Sequence, residues 1–220
     1  MKIVVLVKQV PDTYGERQLS LSTGRLERSD VDLVIDEVTE RALEVALVHK
    51  DATDAEVVLM SMGPASVSEM LRKGLALGAD SAVHIVDDSL AGSDMVRTSA
   101  VLAAALSQQG FDLVITGNES TDGRGGAMAA MIAEQLQLPH ATYLNSVVIE
   151  ATEVSGARAS ETQTAAIRAA LPAVISVTES NPEARFATFK GSMRAKKKPI
   201  AAVSLRELGR GLCCRWPPAS

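Results

Sequence analysis

The sequence predicts an α/β fold: an open, mostly parallel, doubly wound sheet with an antiparallel addition and a C-terminal extended arm. Three observations predict it. Short continuous apolar runs, each closed by turn residues, recur along the first half of the chain, as in strands buried on both faces of a parallel sheet. Segments with a 3.6-residue apolar period lie between them, and this alternation implies right-handed crossovers that place helices on both faces. Hydrophobic residues make up 46% of the 220 and aromatics only 3%, so the core has to be built from Ala, Val, Leu, Ile and Met.

The first run, Ile3-Val4-Val5-Leu6-Val7, ends at Lys8 and the turn Val10-Pro11-Asp12. A helix follows from near Val38, with Asp36 in position to cap it. Its apolar stripe is Val38, Ala42, Val45, Ala46 and Val48, and its outer face is Glu40, Arg41, Glu44 and Lys50. The run 56–62 stops at Gly63-Pro64, and the helix 66–77 enters after that proline and stops at Gly78. The run 82–86 ends at Asp87-Asp88; the helix 94–109 carries the small-residue stretch 100–106 and so lies close against the sheet. The run 113–116 opens into Gly117-Asn118, and a fourth helix, 126–137, ends before Pro139.

After Tyr143 the texture changes. The pieces 147–150, 157–160, 163–168 and 173–176 are short, strand-like and separated by turns, and they read as an antiparallel addition to the sheet. Beyond Glu179 the chain turns polar, with Pro182, Gly191 and the basic run Arg194-Ala195-Lys196-Lys197-Lys198, which reads as an arm reaching away from the domain. The expected organisation is therefore a nucleotide-binding domain over 1–180, an arm over 181–208 that includes a helical turn at 205–208, and a disordered tail over 209–220.

Several function classes drop out. No apolar run reaches the roughly 18 residues of a membrane span, and the apolar stretch at the start is too short for a signal peptide, so a cytoplasmic protein without membrane insertion is expected. Adjacent Cys213 and Cys214 cannot form a disulfide scaffold, and His49, His84 and His140 have no metal-ligand spacing. With 22 Lys+Arg against 27 Asp+Glu the chain is acidic, and no aromatic interleaves with its basic run, so nucleic acid is not the expected partner. The basic run suits an acidic protein surface instead.

The strongest chemical signal is the glycine-rich loop Gly117-Asn118-Glu119-Ser120-Thr121-Asp122-Gly123-Arg124-Gly125-Gly126, between a predicted strand and a predicted helix. Glycines let backbone N–H groups approach a ligand, and the helix N-terminus behind them favours a phosphate. The loop is neither a Walker A motif nor a GxGxxG fingerprint. The loops at Lys8 and at Met62-Gly63-Pro64 lie at the same carboxyl edge of the sheet, and together the three make a nucleotide pocket. No nucleophile–base constellation can be assembled, so the chain reads as a binder and not as a catalyst.

Taken together, the start Lys2-Ile3-Val4-Val5-Leu6-Val7-Lys8-Gln9-Val10-Pro11-Asp12, the Met62-Gly63-Pro64 turn, Leu75-Ala76-Leu77-Gly78-Ala79-Asp80, the 117–122 loop, Leu171-Pro172-Ala173-Val174 and Met193-Arg194-Ala195-Lys196-Lys197-Lys198-Pro199-Ile200 resemble, in family order, the β subunit of electron-transfer flavoprotein. The resemblance implies a Rossmann-like, adenine-nucleotide α-hydrolase-like domain. It implies a heterodimer with an α subunit, carrying electrons from flavin dehydrogenases such as acyl-CoA dehydrogenases to a membrane quinone oxidoreductase, with no bond-making chemistry in this chain. It also implies a structural AMP in this subunit and an FAD held mainly by the α subunit. By motif position the AMP contacts fall on Leu6, Lys8, Asp36, Glu37, Val38, Thr39 and Met62, and on Gly117 to Gly126 with Ala127 and Met128; Thr13 and Val38 come near the flavin. A dehydrogenase recognition loop falls on 181–198, where Phe189 replaces the usual leucine and is flanked by Lys190, Arg194, Lys196 and Lys197.

Departures from the family pattern bear on the ligand. The usual Asp-Gly-Asp-Thr-x-Gln-x-Gly reads here Asp122-Gly123-Arg124-Gly125-Gly126-Ala127-Met128, which removes two side-chain donors and adds an arginine able to pair with a phosphate. Some relatives hold a second FAD in place of AMP and bifurcate electrons. The alternative reading is a stand-alone adenine-nucleotide-binding regulator of the universal-stress-protein type.

Overall fold

A computed structural model describes residues 1–29 and 31–212. The chain runs β1 (Lys2–Leu6), β2 (Gln9–Pro11), β3 (Leu33–Ile35), α1 (Glu37–Ala52), β4 (Glu56–Met62), α2 (Val67–Leu77), β5 (Ser81–Ile85), α3 (Met95–Gln109), β6 (Leu113–Gly117), α4 (Met128–Leu136) and β7 (His140–Leu144). It continues through β8 (Ser146–Ile149), β9 (Glu153–Ala159), β10 (Thr164–Ala170), β11 (Ala173–Val177), α5 (Phe189–Ala195), β12 (Ile200–Val203) and α6 (Leu205–Leu212).

Seven strands form one sheet in the order β12-β5-β4-β1-β6-β11-β7, and each neighbouring pair is parallel. The pleat explains the continuous apolar runs. Ile3 and Val5 pack with Leu43, Leu47, Leu71 and Leu75 of α1 and α2, whereas Val4 and Leu6 pack with Val101, Leu106 and Ile132 of α3 and α4. Every β1 side chain from Ile3 on thus enters one of two cores, at about 1.5–3 kcal/mol for each fully buried aliphatic side chain. The predicted doubly wound α/β fold is the one found.

Three local expectations change. The piece 173–176 is not antiparallel: as β11 it is buried on both faces and lies parallel between β6 and β7. The antiparallel element is a separate three-stranded sheet, β10-β9-β8, built from hairpins and anchored through Val154 and Ala169 in the α1–α2 core. The segment after Glu179 does not reach away from the domain. Arg185 pairs with Glu44 and Asp51 of α1, Arg72 of α2 donates to the carbonyls of Ala195 and Lys198 at 2.6 and 2.7 Å, and β12 then completes the sheet beside β5. This pairing also shifts the stripe of α1. Glu44 is buried beneath Arg185, Leu43 and Leu47 fill the core, and Val48 is exposed.

The last helix extends past the expected turn to Leu212, into the stretch assigned to the tail; residues 213–220, with Cys213 and Cys214, lie outside the described residues. Among the described residues no helix is long and apolar enough to cross a membrane, and no acidic, His or Cys cluster is arranged to hold a metal.

Candidate functional site

The sheet turns in opposite directions from β1, toward β4 on one side and β6 on the other, so the loops beyond these strands part and leave a crevice at their carboxyl ends. Lys8 stands two residues past the end of β1. Gly117 ends β6 against the first turn of α1, where a Cβ would come within 3.1 Å of Val38 Cγ1 and 3.2 Å of the Val38 carbonyl carbon. A side chain there would have to push α1 back by a few tenths of an ångström.

Asp36, wholly buried, joins the two sides. Its Oδ1 accepts from the Val38 and Thr39 amides at 3.1 and 3.4 Å, capping α1, while its Oδ2 accepts from the Thr121 amide and hydroxyl at 2.6 and 2.8 Å. The expected helix cap therefore also fixes the glycine-rich loop. Arg17 adds a second tie, donating to the Thr121 hydroxyl at 3.1 Å and to the Pro11 carbonyl at 3.0 Å.

Asp122 is the charged centre of the loop. Lys8 Nζ donates to its Oδ1 at 2.6 Å and to Ser120 Oγ at 3.0 Å, and Arg28 grips Oδ2. Burial alone would raise the Asp122 pKa, but hydrogen bonds from Lys8, Arg28 and Ser120 outweigh it and hold the carboxyl well below its usual range. Arg124 takes a left-handed conformation, φ 45°, and its largely exposed side chain faces Glu119 at 3.9 Å. The loop then enters α4 through Ala127, at whose N-terminus no side chain accepts a capping hydrogen bond.

These elements enclose a cleft of about 960 Å3. Of the residues singled out in the sequence, Leu6, Lys8, Thr39, Met62, Gly117, Asn118, Glu119, Ser120, Gly123, Gly125, Gly126 and Met128 line it. Asp36, Glu37, Val38, Thr121, Asp122, Arg124 and Ala127 do not; Asp36, Thr121 and Asp122 hold the walls from behind. Asn118 is nine-tenths buried in the wall, and its side-chain oxygen is one of two buried side-chain atoms without a partner among the described residues. Near the expected flavin side, Val38 is buried against Gly117, and Thr13 and Tyr14 are exposed.

Sequence reading missed the roof and the far rim. The segment between β2 and β3 folds over the cleft, placing Arg25 and Arg28 on its wall, and Arg25 lies against Gly92 in the loop after β5. On that rim Asp87 is held below the usual carboxylate range by the hydroxyl and amide of Ser89. A cluster of arginines at 17, 25 and 28 in a stretch with no apolar period was the available signal.

The residues expected to meet a partner lie on a different surface. Phe189 begins α5 with 85% of its area exposed; Lys190, Arg194, Lys196 and Lys197 are exposed around it. Phe186, which the sequence did not single out, is 95% exposed, and Met193 stands one helical turn beyond Phe189. Lys198 turns inward and caps the end of α2 through the Leu75 and Ala79 carbonyls.

Comparison with known proteins agrees with this architecture. Residues 23–208 match the electron transfer flavoprotein domain. The chain is 48% identical over 213 residues to electron transfer flavoprotein subunit beta of Mycobacterium tuberculosis (strain ATCC 25618 / H37Rv), covering 94% of this chain and 80% of the relative. It is 35% identical over 211 residues to the caffeyl-CoA reductase-Etf complex subunit CarD of Acetobacterium woodii, covering 95% and 80%. Identity to electron transfer flavoprotein subunit beta of Megasphaera elsdenii is 34% over 225 residues, covering 96% and 83%. The match extends from the roof of the cleft through the glycine-rich loop to the last helix, and the chain belongs to the electron transfer flavoprotein β-subunit family.

Proposed function

We propose that this chain pairs with an electron-transfer flavoprotein α subunit as a cytoplasmic electron carrier, taking electrons from flavin dehydrogenases and delivering them to a membrane quinone oxidoreductase. An AMP occupies its cleft as a structural group, and FAD is held mainly by the α subunit. One observation carries the nucleotide reading: the uncapped start of α4 opens on the same cleft that Asn118, Met62 and Met128 line. An uncapped helix start fits a phosphate, so the residues present suit the anionic end of a nucleotide. Met62 and Met128 offer a polarisable wall for the base.

FAD supplies the one- and two-electron chemistry when bound. The residues of this chain bind and position. Gly117 lets the end of β6 close on α1, Asp36 fixes the loop to α1, and Lys8 and Arg28 balance the loop's own carboxylate. The exposed trio Phe186, Phe189 and Met193, rimmed by Lys190, Arg194, Lys196 and Lys197, suits a small transient interface with an apolar anchor and a steering charge. The relative CarD, named for a complex with a caffeyl-CoA reductase, supports a partner acting on a coenzyme A ester. No specific observation favours the stand-alone regulator.

Co-expression with an α subunit, followed by denaturation and chromatography of the released nucleotides, tests the proposal. One FAD and one AMP per heterodimer is the expected result; two FAD and no AMP would replace the structural nucleotide with a second redox flavin, and a colourless chain that forms no complex would overturn the carrier reading. Phe189→Ala should slow electron uptake from a dehydrogenase severalfold in stopped-flow reduction, while AMP content and the heterodimer persist. Parallel loss of all three would make Phe189 structural.

A further inference from the structure

Gly126, at φ 67°, stands two residues before α4, and its carbonyl accepts a hydrogen bond from Tyr143 Oη at 2.9 Å. Tyr143 lies on β7, outside the glycine-rich loop and outside every motif that points to a nucleotide. Its placement is costly. Tyr143 takes φ 60°, which L side chains rarely adopt.

A β-bulge explains the conformation. Along the β7–β11 ladder Ala141 faces Ile175 and Leu144 faces Val177, so Thr142 and Tyr143 share the single partner Ser176. Ser176 Oγ accepts the Tyr143 amide at 2.9 Å, and Arg158 holds the other bulged residue, donating to the Thr142 carbonyl at 2.7 Å and its hydroxyl at 3.2 Å. Both bulged residues are satisfied from neighbouring strands. A bulge built this way re-aims a side chain, and this one aims the phenol at the loop.

A Cβ on Gly126 would stand 2.3 Å from Tyr143 Oη, so a larger residue here would push the phenol aside, and φ 67° favours glycine independently. A trans peptide is rigid, so fixing the Gly126 carbonyl also fixes the Ala127 N–H on its opposite side. Ala127 is the residue from which α4 starts, uncapped, and its neighbours Gly126 and Met128 line the cleft beside Asn118.

We infer that Tyr143 is a positioning residue for the anionic end of a nucleotide: from its bulge it holds the Gly126–Ala127 peptide so that the first amides of α4 stay ordered for a phosphate. The inference rests on the nucleotide reading above and adds to it a residue that acts through the loop without touching the ligand.

The full-length chain, freed of nucleotide, tests it as wild type and as Tyr143→Phe, with AMP and adenosine as calorimetric probes and ligand-free melting as the control. One neutral hydrogen bond corresponds to roughly a two- to tenfold change, so AMP affinity should fall by that factor. Adenosine affinity and ligand-free melting should not move. Equal AMP affinity in the two chains overturns the positioning role, and so does an equal loss for AMP and adenosine or a lowered ligand-free melting point. A wild-type chain that binds neither probe overturns the nucleotide reading, and this inference falls with it.

Discussion

Asp122 holds two cations on a carboxylate almost wholly removed from water, while Lys8 and Arg28 each remain nearly half exposed. A fully buried pair broken on one side loses roughly 3–5 kcal/mol; the exposure of both cations brings the expected cost of Asp122→Asn to about 1–2 kcal/mol, measurable by urea unfolding at neutral pH. The pH dependence has a definite sign. The folded pKa lies below the unfolded 3.8, so on acidification the unfolded chain takes the proton first. The contribution of Asp122 is complete above that value and is lost as pH falls through the folded one, a window in which Asp122→Asn should show a flatter stability profile. Arg124 gives a prediction of opposite sign. Its φ of 45° strains an L residue, and Arg124→Gly should raise stability by about 0.5 kcal/mol after the extra freedom of the unfolded glycine is subtracted, again read from urea curves. Much of this site was legible in the sequence, because glycine spacing in one loop is local information. The Arg28–Asp122 pair spans 94 positions, and nothing local in either residue announces the other. The bulge at Tyr143 was hidden for the same reason, since an extra residue on one strand is defined only against its neighbour.

Helices carried their own boundary signals: Asp36 and Asp94 cap α1 and α3 through their side chains, and Gly78, at φ 146°, stops α2. Strands were legible where long and buried on both faces, as in β1 and β4, and illegible where short. The three-residue β2 and β3 have too few positions to show a period, and β12 follows a lysine run whose charge dominates its four residues. The segment leading to β12 is held by packing as well as charge. At Gly191 a Cβ would lie 2.5 Å from the Ala76 backbone oxygen, so α5 rests directly on α2. Gly191→Ala should therefore lift α5 and lower stability by about 1–3 kcal/mol, seen as a reduced thermal midpoint. The outward face of α5 should respond differently: Phe189→Ala removes little buried area and should leave that midpoint nearly unchanged.

At the scale of the molecule, the two cores lie on opposite sides of one sheet, and the cleft exists because strand order reverses about β1. The alternation of runs and helices reveals that kind of sheet; which strands close its edges depends on distant returns of the chain. Here β7 closes one edge and β12 the other, where the Ala82 amide donates to the Pro199 carbonyl and the Val86 amide to the Val203 carbonyl. A chain ending at Pro199 loses this pairing and the buried Leu208. It should melt at lower temperature and scatter light at rising concentration; unchanged melting in a monodisperse sample would make β12 dispensable. Strand order also imposes a timetable. In synthesis β5 emerges early, but the strand that covers its edge is the last of the sheet to be made. At about 5–20 residues per second the interval is on the order of ten seconds, far longer than local strand or helix formation. Throughout it a nascent chain presents an open hydrogen-bonding edge to its neighbours on the same message. Crowded ribosomes, or a pause in the final codons, would then decide the yield of soluble protein more than the stability of the finished fold does.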